Sequence, residues 1–174
     1  MLRSIRVGSA VAGAALLALG CAPAGAARRP VAPKPVAQGR AVMLAGAGKA
    51  AGLHLRLTVA KGAVESELQN QSDVDYSQYA PSGKEFVVVT LKLAVRGKAV
   101  PAKDLVLDLM AGKARYPVNA AAGVALGRDT YPSTLKPGKV LTESFAFIVP
   151  TGAKGFVLDA GLGKGKAVAL AVKA

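Results

Sequence analysis

The sequence predicts an all-β protein, an antiparallel β-sandwich of about seven strands set behind an export signal and a linker. Three observations lead there: seven short runs carry apolar residues in the strand period, turn segments rich in Gly and Pro separate them, and only one Ala-rich stretch could be helical. A chain of 174 residues with 52% hydrophobic and 19% charged residues is the size of one domain and has the apolar material for a core. With 5% aromatic residues and no Trp, that core is expected to be built from Val, Leu and Ala, and interfaces anchored on Trp are excluded.

Residues 1–20 read as a signal peptide. Arg3 and Arg6 form the positive flank, and Val7 to Gly20 is an uncharged run shorter than the roughly 20 apolar residues of a spanning helix. No later stretch approaches that length without a charge or Pro, so the folded part is expected not to span a bilayer.

Two processing routes are open at the end of the signal. The run Leu17-Ala18-Leu19-Gly20-Cys21 resembles the lipobox of bacterial lipoproteins, which implies cleavage after Gly20 and lipidation of Cys21, the only cysteine in the chain. Ala24-Gly25-Ala26 offers instead a small-x-small site of the general signal-peptidase kind, releasing a chain with no cysteine. Residues 21–40 follow as a lipidated Cys and linker: Pro23, Pro30, Pro33 and Pro35 among Ala, Gly and basic residues favour extended, unpaired backbone. Arg28, Arg29, Lys34 and Arg40 would be drawn to anionic lipid headgroups or envelope polymers.

Residues 41–174 carry the strand pattern. Leu53, Leu55, Leu57 and Val59 alternate with His54, Arg56 and Thr58, giving a strand with one buried and one wet face. The run from Glu85 to Val95 starts apolar on both faces and then alternates, which suits a long strand in mid-sheet. "DLVLDLM" from Asp104 and "ARYPV" from Ala114 are joined through Ala111, Gly112 and Lys113 as a hairpin. "VLTESFAFIV" from Val140, "GFVLDA" from Gly155 and "AVALAVK" from Ala167 complete the set, and the Ala-rich "VNAAAGVALGRDTYP" is expected to be a connection because Gly interrupts it. "RGKAVPAK", "LKPGK", "VPTGAKG" and "GLGKGK" supply the reversals.

Within this frame, the Gly-x-x-Phe-Val-x-Val strand at Gly83 to Val89, the Leu-x-Pro-Gly turn at Leu135 to Gly138 and the Phe-x-x-Pro ending at Phe147 and Pro150 carry a resemblance. They resemble the bacterial secreted immunoglobulin-like family catalogued as domain of unknown function 4352, whose fold is shared with the mycobacterial immunoprotective extracellular antigen. The resemblance spans most of Leu53 to Lys173 and implies an immunoglobulin-like β-sandwich, non-catalytic and envelope-exposed, with no catalytic residues to carry over.

The residues themselves point to no enzyme. His54 is the single histidine, so it cannot be half of a two-histidine metal site, and a hydrolase built on it would lack a visible partner set. "GLGKGK" lacks the spacing of a phosphate loop and leads into a strand, so it reads as a hairpin turn. No cofactor or metal is expected. The segment from Glu65 to Gly83 is the most distinctive in composition, with Glu65, Glu67, Asp73 and Asp75 among amides and two tyrosines. Asp73 and Asp75 have the alternate spacing of a calcium loop, but its Gly and later Glu are missing, so the segment is read as a long polar loop. Asp73, Asp75, Tyr76 and Tyr79 are its candidate ligand contacts.

Charge narrows the partners. Without the signal the chain holds 21 basic and 10 acidic residues, a net +11, with Lys and Arg spread over turns and wet faces. Such a field attracts polyanions in a salt-dependent way. Export and the lack of an aromatic-basic platform argue against nucleic acid, leaving anionic envelope polymers, the membrane, or another envelope protein. The expectation is a non-catalytic lipoprotein anchored by Cys21 and facing the periplasm or cell exterior; the alternative is a freely secreted, inhibitor-like or polyanion-binding protein, with a hydrolase using His54 ranked behind these. With one cysteine there is no internal disulfide, so stability should be indifferent to reductant.

Overall fold

A computed structural model describes residues 34–70, 73–126 and 132–174, with the backbone alone at 70 and 73–76. Two four-stranded antiparallel sheets make the main body, and the fold is the expected antiparallel immunoglobulin-like β-sandwich. The first sheet has the order β1 (Ala41–Ala45), β2 (His54–Glu65), β5 (Lys84–Arg96), β10 (Val140–Pro150). The second has the order β12 (Val168–Ala171), β11 (Phe156–Leu162), β7 (Leu105–Ala111), β8 (Ala114–Pro117). Two short pairs complete the strands: β3 (Glu67–Asn70) with β4 (Asp73–Tyr79), and β6 (Val100–Pro101) with β9 (Thr134–Leu135).

Alternation decides what each strand buries. Leu55, Leu57 and Val59 of β2, Val87 to Val95 at every second position of β5, and Phe145, Phe147 and Val149 of β10 face the second sheet. That sheet answers with Leu107, Leu109, Leu158, Ala160, Leu162 and Leu170. The core departs from the expected Val, Leu and Ala composition in one respect: all four phenylalanines, Phe86, Phe145, Phe147 and Phe156, are buried.

The doubly apolar start of β5 has its own explanation. Phe86 and Val88 point out of the sandwich into a second cluster with Leu68, Ala122, Ala125 and Ala146. Its cover comes from two segments read from the sequence as irregular. The stretch from Asn119 is not a bare connection: it holds α1 (Ala120–Ala125), capped by the Asn119 side chain, whose oxygen accepts the Ala122 N–H at 2.8 Å. The polar stretch after Glu65 is not a long loop: β3 and β4 pair antiparallel, and Ala80 N–H donates to Ser66 O at 2.9 Å to close the base. Burial of Leu68 gives this otherwise polar hairpin its anchor.

The folded unit also starts earlier than residue 41. Val36 N–H donates to Ala169 O at 2.9 Å and Val36 O accepts from Ala171 N–H at 2.8 Å, a parallel bridge onto β12. Gln38 then ties three segments together: its amide donates to Ala60 O, in the β2 bulge between Val59 and Lys61, and its Oε1 accepts the Lys173 N–H at 2.7 Å. The described residues from Lys34 onward form one compact unit, so the ordered chain reaches past the linker boundary at Arg40 toward the N-terminus. The Gly112-Lys113 hairpin between β7 and β8 is as expected, with Gly112 at φ 61° in the left-handed region that such a turn requires.

Candidate functional site

The topology sorts the turns between two ends of the sandwich. At one end lie the segments around 46–53, 97–104, 136–139 and 163–167; the ends of β1 and β11 meet there, where Lys164 N–H donates to Ala47 O and Gly163 N–H to Asp104 O. At the other end lie the β3–β4 hairpin, the Gly112 turn, α1 and the turn 151–155.

Charge divides along the same axis. Lys49, Lys98 and Lys103 occupy the first two turns of the first end, with Arg96 closing β5. Lys136, Lys139, Lys164 and Lys166 occupy the other two. All eight are exposed, and Asp104 is the sole carboxylate on these segments. Among the described residues none of the eight forms an ion pair. Glu65, Glu67, Asp73, Asp75 and Glu85 fall instead toward the opposite end, where they outnumber Lys84, Lys113 and Lys154. The field of the domain is therefore polar along its length.

The basic pole continues onto the outer face of the first sheet. His54 stands opposite Arg96 in the β2–β5 ladder, Arg56 opposite Ala94, and Thr58 opposite Lys92. Diagonal neighbours on such a face are about 7–8 Å apart, so Arg96, Arg56 and Lys92 make a zigzag of cations. A shallow concavity of about 380 Å³ lies between Arg56, Arg96 and Lys139, floored by Ala94 and Gly138. A second, apolar one of about 200 Å³ opens beside it over Leu93, Val95, Leu135 and Leu141, with Lys136 and Lys139 on its rim. Val140 and Met43, 66% and 47% exposed, add aliphatic surface among these charges.

The outer face of the second sheet differs in sign. Asp108, only 8% exposed, lies directly across the ladder from Asp159, an arrangement that is repulsive without a cation. Arg115 supplies it, its guanidinium donating to Asp108 Oδ2 at 2.6 Å, and the two carboxylates hold the Arg115 pKa above its ordinary value, Asp108 foremost. This pair serves the stability of the sheet face.

Of the residues singled out from the sequence, four share one strand and the others lie elsewhere. Cys21 lies outside the described residues. Asp73, Asp75 and Tyr76 belong to β4, so the loop path that a calcium-binding reading requires is replaced by a strand. Tyr79 ends that strand, 70% exposed and opposite Glu67. Hydrogen bonds from Gln69, Tyr79 and Ser77, with Gln69 the largest, hold the Glu67 carboxyl below its ordinary range, and Glu67 in turn pushes the Tyr79 hydroxyl up. His54 is exposed at the edge of the basic pole. The cluster of cations was hidden in the sequence because its members sit in four separate turns.

No family model matches the chain, and no curated protein matches it. Among solved structures, it is similar to a conserved hypothetical protein from Bacillus anthracis, with 14% identity over 66% of this chain and 87% of that one, at a TM-score of 0.51. An uncharacterized β-sandwich protein from Clostridium difficile aligns over 80% of this chain and 95% of its own, at 12% identity and a TM-score of 0.47. The Bacillus likeness extends to the fold alone. No helix among the described residues is long and apolar enough to cross a membrane.

Proposed function

We propose that the chain is an exported, non-catalytic envelope module, tethered by a lipid on Cys21, whose immunoglobulin-like sandwich binds an anionic envelope component through its basic pole. The observation that carries the reading is the segregation of eight exposed cations, with no ion-pair partner among the described residues, to one end of the domain, against a cluster of acidic residues at the other. The run Leu17 to Cys21 and the Pro-rich stretch behind it support the tether, as does the resemblance to domain of unknown function 4352, which rests on the quoted strand and turn motifs. A second reading, free secretion after Ala26, is favoured by the Ala24-Gly25-Ala26 site and leaves the basic pole facing soluble or host polyanions.

Intact mass of the mature protein from separated membrane and culture-fluid fractions distinguishes the two. The proposal expects a membrane-bound chain starting at Cys21 and heavier by a diacylglyceryl group. An unmodified chain starting near Ala27 in the fluid would replace it with the second reading.

A further inference from the structure

The parallel bridge at Val36 fixes the direction from which the N-terminal segment reaches the sandwich. β12 runs from the 163–167 turn toward Ala171, pairing Val168 with Ala160 and Ala171 with Val157. Val36 is parallel to it and abreast of Leu170, so the residues before Val36, Pro35 and then Lys34, lie toward the 163–167 turn. That turn carries Lys164 and Lys166 and belongs to the basic pole. The described chain therefore enters the domain, at Lys34, on the end that carries the eight cations.

From this coincidence we infer that the basic pole docks on a bilayer surface of anionic phospholipid headgroups, holding the long axis of the sandwich upright with the acidic hairpin outward. The inference rests on the tethered reading and names the partner of the same surface. A bilayer is favoured over a soluble polymer for two reasons. The chain enters the domain at Lys34 on the end that carries the pole, the end nearest in sequence to an anchor on Cys21. The cations at Arg56, Arg96 and Lys139 are interleaved with exposed aliphatic side chains at Val140 and Met43, which suit the boundary between headgroups and acyl chains.

The test uses the chain from residue 21 with Cys21→Ser, so that no lipid anchor contributes. Its probe is vesicles of phosphatidylglycerol and phosphatidylcholine, compared with phosphatidylcholine alone, at an ionic strength of about 0.15 M. Cosedimentation should be confined to the anionic vesicles. Each cation near the surface contributes roughly fivefold to partitioning, so Lys98→Gln, Lys136→Gln and Lys139→Gln combined should weaken it about a hundredfold. The matched triple at the opposite end, Lys84→Gln, Lys113→Gln and Lys154→Gln, removes the same net charge and should leave partitioning within about twofold. All six lysines are exposed, so both variants should fold. Equal losses from the two triples would overturn the inference in favour of diffuse attraction. Binding of soluble polyphosphate with no vesicle binding would overturn it in favour of a polymer partner. Either result leaves the lipid on Cys21 untouched, since that is read by mass, and an unlipidated mass leaves the vesicle result standing.

Discussion

Truncating Leu68 to Ala tests the element in which sequence and structure differ most. Leu68 is 1% exposed beneath the β3–β4 hairpin, packed with Phe86, Val88, Ala122, Ala125 and Ala146. Leu-to-Ala changes in protein cores cost roughly 3–5 kcal/mol, the low end applying where neighbours can close the cavity. A two-stranded hairpin lying over small alanines can settle by an ångström more easily than a strand inside the sandwich, so the expected cost is about 3 kcal/mol. For a folded unit of this size that lowers Tm by roughly 8–10 °C. The control is Gln69→Ala, next in sequence and exposed, which should stay within about 0.5 kcal/mol of the parent. The assay is urea unfolding followed by circular dichroism, with calorimetry for Tm. If Leu68→Ala and Gln69→Ala behaved alike, the hairpin would not be anchored by this side chain, and the second cluster would lose its account.

Two further outcomes follow from the same geometry. At Gly62 an added Cβ would stand 2.6 Å from Lys173 O and 2.7 Å from Val172 Cγ1, so Gly62→Ala should cost about 1–3 kcal/mol in urea unfolding, whereas truncating Lys173→Met beside it should cost far less. The Glu67–Tyr79 contact gives the hairpin a pH window. A carboxyl held below its ordinary value of 4.5 contributes stability above that value and loses it as pH falls through the folded pKa. A hydroxyl raised above 10.0 contributes below that value and loses it as pH rises through its folded pKa. Proteolysis at Tyr79 should therefore be slowest between the two limits and faster on either side, and Glu67→Gln should flatten the acid limb.

Seven of the twelve described strands were legible, the clearest of them through a period-two signal. His54 to Val59 and Lys92 to Val95 alternate cleanly, and the Gly112-Lys113 turn is marked by its glycine. Among the missed elements, β1 pairs with the neighbouring β2, but three others depend on a partner distant in sequence. β3 has one anchoring leucine among polar residues, and its reason to be ordered is Phe86, supplied by another strand. α1 is a short Ala-rich helix of six residues whose cap and packing surface, Asn119 and Ala146, have to be brought together by the sheet. Val36 looks like linker until β12 offers it an edge.

The basic pole was half legible. Each lysine is visible in its turn, and the acidic segment after Glu65 stands out in the sequence. What links Lys49, Lys98, Lys139 and Lys164 is a rule of antiparallel folds, that alternate turns return to the same end. Applied to the segments around 46–53, 97–104, 136–139 and 163–167, it gathers the cations that a linear reading leaves dispersed. The Asp108–Arg115 pair needs register as well, because only the β7–β11 ladder sets Asp159 against Asp108.

The orientation of the domain on a membrane is the most direct test of this account. In the Cys21→Ser background, a fluorophore is placed at Lys98→Cys in the basic pole or at Lys154→Cys in the opposite turn. The two sites lie near the two ends of β5, whose 13 residues span about 40 Å. Quenching by a spin-labelled lipid headgroup in anionic vesicles should be strong at residue 98 and close to the unquenched level at residue 154. Equal quenching at both positions, or stronger quenching at 154, would contradict the account.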